Sequence, residues 1–303
     1  DFFAFANGAW LKRDTIPAAF STSGVGKDMT DRNELVVRSV LEDAMASRHS
    51  EPASSTRAKL GTFYASCMDS TTAEKQGASP IRAGLASIAA IKTRPALVAQ
   101  IGTLQKQGVT ALFNFGPGAD PKDANHYIAW ISQGGLGMPD RDYYLKTDPA
   151  SDSLRQKYVA HVARTLELAG ETSANAAADA QRVMTLETEL AKASMTRVAM
   201  RDPNATYHKT SLGDLERAAP AMEWPSYFHT VGMTASVPFV NVAQPEFIKR
   251  ASTLVQTAPM DEWRAYLSYH LIAEASPWLS SPFVKENFAY TSLYTGAKEM
   301  LPR

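Results

Sequence analysis

The sequence predicts a predominantly α protein with one antiparallel β-hairpin near residues 111–132. Three observations carry that class. Apolar residues recur at three- and four-residue steps along most of the 303 positions. One pair of neighbouring segments reads convincingly as strand, turn, strand. Proline and glycine fall where helices would begin and end.

Taken in order, Asp31 to Met45 places Val36, Val37, Val40, Leu41, Ala44 and Met45 on one face, which the period assigns to a core. Ser54 to Met68 repeats the pattern through Leu60, Phe63, Tyr64 and Cys67, so the lone cysteine is expected on the packed side, as a small hydrophobe. Pro80 opens a helix through Ile81, Leu85, Ile88 and Ile91, and Pro95 another through Leu97, Ile101 and Leu104. Beyond Gly108 the texture changes. Ala111–Phe115 reads as a strand, Gly116–Pro121 as a turn and His126–Ile131 as the returning strand, followed by a loop over Gly134–Asp140. Ser151–Leu168 and Ser173–Ser194 are long amphipathic helices separated by Gly170, hence a helical hairpin. A short helix begins at Ser211, a short strand fits Val237–Val242, and Pro245 and Pro259 open two further helices. The second of these carries Trp263, Tyr266, Leu267, His270 and Leu271.

Composition excludes several functions. Thirty-one basic residues balance thirty-one acidic ones, so no cationic surplus exists to meet nucleic-acid phosphates or an anionic membrane. No run approaches the ~20 apolar residues that span a bilayer. A single cysteine excludes an internal disulfide and a thiolate zinc cluster. The chain starts at Asp1 in place of Met and stops at Arg303 without a tail, which reads as a segment of a longer protein.

Active-site patterns are missing. A hydrolytic zinc helix needs His-Glu-x-x-His, because histidines four apart share a face and the Glu between them activates the metal's water. None of the six histidines is followed by Glu. His270 and Glu274 are four apart, but their apolar helix favours a hydrogen-bonded core pair over metal ligation. His126 reads as a partly exposed strand residue. There is no Gly-x-Ser-x-Gly elbow, and Cys67 has no neighbouring histidine. Gly116-Pro117-Gly118 lacks the Gly-Lys-Ser/Thr of a phosphate loop. The loop Gly134–Tyr144 is expected to be a structural clasp: its glycines open backbone angles closed to other residues, Arg141 pairs with Asp140 or Asp142, and Tyr143 and Tyr144 anchor it on helices. From the residues alone, no catalytic or metal-binding side chain is assigned.

Several blocks nevertheless resemble the neprilysin-like zinc metallopeptidases, peptidase family M13. Asp1-Phe2-Phe3 through Asn7-Gly8-Ala9-Trp10 to Ile16-Pro17 is similar to the family's opening. Gly135-Leu136-Gly137-Met138-Pro139-Asp140-Arg141-Asp142-Tyr143-Tyr144 resembles its Gly-Leu-Gly-Leu-Pro-x-Arg-Asp-Tyr-Tyr. Arg201-Asp202-Pro203, Tyr207-His208-Lys209 and Trp224 fit a later block, with His208 in place of Asn. Tyr294-Thr295-Gly296 and Pro302-Arg303 fit the last. The resemblance implies the N-terminal half of a bacterial-type enzyme: residues 1–22 an opening strip that packs on a missing catalytic domain, and 23–303 an incomplete helical lobe. It implies a zinc-dependent endopeptidase acting on oligopeptides, with zinc, general base and substrate-backbone motif all in the missing C-terminal half. That half would be this chain's partner, and this chain alone would be inactive. The alternative is a non-catalytic helical binding or scaffold module derived from such a peptidase. Two arginines that bind substrate carboxyl groups in animal relatives fall here on Thr22 and Thr30, so that role does not transfer. Asn7 stands where animal proteins carry a cysteine. The implied location is periplasmic or secreted, or held to a membrane through a segment upstream of Asp1.

Overall fold

The computed structural model describes residues 1–233 and 237–301. Two compact units emerge, Asp1–Gly77 with Leu279–Arg303, and Ala78–Trp278.

In the first unit, Asp1 caps α1 (Phe2–Leu11), its carboxylate accepting the Phe3 N–H at 2.9 Å. No residue of α1 is buried, and Phe2, Phe3 and Phe5 are exposed. Helix α2 (Val25–Ser47) and α3 (Thr56–Cys67) pack closely because their contact is made of small residues. Ala44 and Ala58 are buried there, and a Cβ on Gly61 would lie 2.1 Å from the Ala44 carbonyl oxygen. This corrects the expected buried stripe. Val36, Val37 and Val40 are each more than half exposed, as is Phe63, and Cys67 is exposed too. Of the predicted face of α2, only Ala44 is buried, where α3 brings Ala58 and Gly61 against it. Helix α4 (Ser70–Gln76) follows, capped by Asp69.

The second unit holds the core. Helices α5 (Arg82–Ala89) and α6 (Arg94–Lys106) bury Ile88, Leu97, Ile101 and Leu104 completely. The hairpin is β1 (Phe113–Asp120) and β2 (Asp123–Gln133), antiparallel, with Gly116 opposite Trp130 and Gly118 opposite Ile128. The expected turn over 116–121 is therefore mostly strand, and the chain reverses at Pro121-Lys122. Strand order β1-β2-β4-β3 explains why: β1 is an edge, where Pro117 forfeits no inward hydrogen bond. Gly118 leaves room for the Trp130 indole, which a Cβ there would meet at 2.6 Å.

Helix α7 (Arg141–Leu145) leads to the helical hairpin α8 (Pro149–Leu168) and α9 (Ser173–Ala193), whose predicted faces are buried through Tyr158, Val162, Leu166, Val183, Leu186 and Leu190. Strand β3 (Lys209–Ser211), α10 (Leu212–Ala218), α11 (Trp224–Thr230) and β4 (Phe239–Val242) follow. Strand β4 lies parallel to β2 and antiparallel to β3, so the hairpin becomes the edge of a small mixed sheet. Helices α12 (Pro245–Thr257) and α13 (Met260–Ala275) close the unit, with Trp263, Tyr266 and Leu267 fully buried. Helix α14 (Ser281–Thr295) belongs to the first unit, where its Ser281 N–H meets the Glu74 carboxylate at 2.7 Å. The Pro302-Arg303 pair of the last motif lies outside the described residues.

Candidate functional site

The decapeptide loop is a clasp, and its geometry explains its glycines. Gly135 has φ 69°, and a Cβ there would stand 2.3 Å from the Tyr266 hydroxyl and 2.5 Å from the Leu112 nitrogen. Gly137 needs no unusual angle. It is small because the Tyr158 hydroxyl lies 2.0 Å from where its Cβ would be. The Tyr266 hydroxyl donates to the Gly135 carbonyl at 2.8 Å and accepts the Leu112 N–H at 2.8 Å. Leu112, fully buried, is held with φ 63°. Burial raises the Tyr266 phenol well above its ordinary value, so it stays a neutral double-duty hydroxyl.

Beneath the clasp lies a buried carboxylate. Glu187 on α9 is wholly inaccessible. Its Oε2 accepts the hydroxyls of Tyr144 (2.7 Å) and Tyr158 (2.6 Å), and its Oε1 meets His270 Nε2 at 2.8 Å. Tyr144 in turn accepts the Met138 N–H at 2.9 Å, tying loop, α7, α8, α9 and α13 to one oxygen pair. The core pairing expected of His270 exists, but its partner is Glu187; Glu274 is exposed. The sequence carried a usable signal, since Glu187 falls four residues after Val183 and three before Leu190, a core position of the helical period.

Arg141 corrects a second expectation. It pairs with neither flanking carboxylate. Asp140 caps α7 through the Asp142 N–H (2.8 Å) and faces Arg197 at 3.7 Å, while Asp142 faces Lys146 at 3.4 Å. Arg141 instead lines a cleft of about 450 Å³ between the clasp and the turn after α9, with Nε shut off from water and without an acceptor.

At the hairpin tip, Asp120 accepts the Lys122 N–H (2.9 Å), the Tyr207 hydroxyl (2.7 Å) and Lys209 Nζ (3.1 Å). These donors hold its carboxyl down at about 2, led by the Lys122 backbone and the Tyr207 hydroxyl. His126 is exposed on β2, its Nδ1 2.7 Å from Asp123.

The residues present do not fit a zinc ion. Among the described residues, no three His, Cys, Asp or Glu side chains gather to hold a metal, and His270 is already engaged in the core. The profile of peptidase family M13 matches residues 1–303. The chain belongs to that family. Among relatives, endothelin-converting enzyme 1 of Cavia porcellus is 28% identical over 316 residues, covering 100% of this chain and 41% of that protein. Neprilysin-3 of Drosophila melanogaster is 26% identical over 317 residues, covering 99% of this chain and 39% of its own length. The crystal structure of Mycobacterium tuberculosis zinc metalloprotease Zmp1 with an inhibitor superposes with TM-score 0.92 at 29% identity, covering 100% of this chain and 46% of that one. This M13 chain therefore spans about two fifths of the length of its curated relatives.

Within the M13 chain, Trp224 and the backbone of His208 serve the fold. Trp224 is buried, its indole donating to the Ala219 carbonyl at 3.0 Å, and the His208 N–H donates to Asn241. Thr22 and Thr30 are exposed, and the Thr30 hydroxyl donates to Gly26 within its own helix.

Proposed function

We propose that this chain is the N-terminal portion of a zinc-dependent metalloendopeptidase that cleaves oligopeptides, and that it shapes the substrate cavity. The observation that supports this reading is the family match along the whole chain, set beside relatives more than twice as long. Zinc would be held by residues outside this chain, since the residues here do not fit it. The partner of this portion would be the protein's own C-terminal catalytic domain. Residues 1–22 would pack on that domain, in keeping with the exposed Phe2, Phe3 and Phe5 of α1. No helix among the described residues is long and apolar enough to cross a membrane. An exported enzyme, periplasmic or secreted, is the location that fits the family best.

The test uses the full-length protein. Stoichiometric zinc by elemental analysis and hydrolysis of short peptides, lost on chelation and restored by zinc, are expected. A full-length protein that binds no zinc and leaves peptides intact would return the chain to a scaffold role.

A further inference from the structure

The cleft beside the clasp carries a charge that the fold leaves unanswered. Its walls include the apolar side chains of Leu136, Met138, Pro139 and Met200, and its charged lining is Arg141, Arg197 and Asp140. Two guanidinium groups against one carboxylate leave a net charge of +1. Among the described residues, Arg141 makes no hydrogen bond and has no carboxylate within ion-pair distance, and its covered Nε has no acceptor. A sheltered charged donor without a partner is costly, and native proteins rarely leave one. Asp140 cannot serve, because its oxygens are turned to the α7 N-terminus and to Arg197. Arg197 is itself 71% exposed and holds Asp140 only at 3.7 Å, so it can turn onto a ligand.

We propose that this cleft is a carboxylate subsite for peptides, with Arg141 as the fixed anchor and Arg197 as the outer clamp. The planar guanidinium fork matches a carboxylate in two parallel hydrogen bonds, which a lysine cannot reproduce. A volume of about 450 Å³ suits one or two residues of a peptide. The apolar wall takes the aliphatic stem of a glutamate or of a C-terminal residue. The carboxylate is either an acidic side chain or a peptide's terminal carboxyl group. This inference rests on the peptidase reading only for the identity of the ligand.

The experiment is calorimetric titration of the full-length protein with glutarate and with its neutral diamide. Glutarate is expected to bind and the diamide not. Arg141→Gln should weaken glutarate about tenfold or more, Arg141→Lys should recover part of the loss, and Arg197→Gln should weaken it a few-fold. Arg141 makes no bond in the fold, so Arg141→Gln should keep its Tm. Arg197→Gln, at an exposed position, gives a second reading if it does not. Peptide pairs then separate the two sources. If kcat/KM favours Glu over Gln peptides and Arg141→Gln removes that preference, the side chain is the ligand. If a free C-terminus is favoured over an amide and the preference falls in the same variant, the terminus is. Glutarate affinity unchanged in both variants, or equal affinity for the diamide, overturns the subsite. So does a wild type that ignores glutarate. Glutarate binding by a protein that cleaves no peptide would sink the peptidase reading alone, whereas cleavage with Arg141→Gln indistinguishable in every assay would sink the subsite alone.

Discussion

The hydroxyl of Tyr266 serves two backbone groups at once, the Leu112 N–H and the Gly135 carbonyl, both inside the protein. Leu112 sits in the left-handed region, which branched side chains rarely adopt, so its conformation needs this external hold. Tyr266→Phe keeps the ring and strands both groups, and should lower stability by about 1–3 kcal/mol in urea unfolding. Glu187→Ala is harsher, because it leaves two tyrosine hydroxyls and His270 without their shared acceptor; about 3–5 kcal/mol is expected. A loss below 1 kcal/mol would mean the hub is dispensable. Asp120 gives a pH-dependent case. Its carboxyl is depressed from 3.8 to about 2 in the fold, so the folded state favours the ionised form. That stabilisation is present above pH 4 and lost as pH falls through about 2. The stability gap between wild type and Asp120→Asn should therefore be open at pH 7 and shrink between pH 4 and 2; a gap constant across that window would refute the assignment. These residues differ in how far they could be read beforehand. His270 is legible as a core histidine because Trp263, Tyr266, Leu267 and Leu271 accompany it on its helix. Its partner is not, since nothing local pairs positions 187 and 270. Arg141 misled for the opposite reason: adjacent carboxylates suggest a pair, but Asp140 is drawn off to cap a helix.

Elements were legible where one period governed a long segment and a cap closed it. The α8–α9 hairpin is the clearest, with Asp148 and Thr172 capping the two helices and Gly170 at φ 111° between them. Gly-Pro-Gly is turn chemistry in isolation, so the sequence predicts a β1 that ends at Phe115. Only the strand's place at a sheet edge, a tertiary fact, makes it permissible. The α2–α3 pair shows the complementary failure. Periodicity marks a stripe as apolar without saying how much of it a neighbour covers, and there only Ala44 of the stripe is buried, against the small residues of α3. Gly61→Val tests this. Its new side chain would collide with the Ala44 carbonyl and the Met45 nitrogen, backbone atoms that cannot swing aside. We expect a loss of about 1–3 kcal/mol with the helices forced apart. Gly116→Ala, with open space around it, should by contrast cost little.

At the scale of the whole molecule, the first unit exposes several large apolar side chains close together in sequence. Val36, Val37, Val40, Leu35 and Phe63 are exposed on α2 and α3, and a groove beside them is lined by Leu41 and Tyr64. A groove with exposed Leu35 and Val37 on its wall fits an interaction face. On the proposed function, the occupant would be the catalytic portion of the longer protein. If that portion covers α2, then Val36→Glu with Val40→Lys should act differently in two settings. In the 303-residue chain both positions face solvent, and the new pair, four residues apart, adds a few tenths of a kcal/mol of helix support. In the full-length protein the same change would bury two charges where two valines had sat, at a cost of about 1.5–3 kcal/mol for each lost side chain before desolvation is counted. A thermal melt of both forms decides it. A fall in Tm confined to the full-length protein assigns this face to the catalytic portion. Equal, negligible shifts in both leave α2 uncovered, and the apolar stripe would then need an occupant from outside the chain.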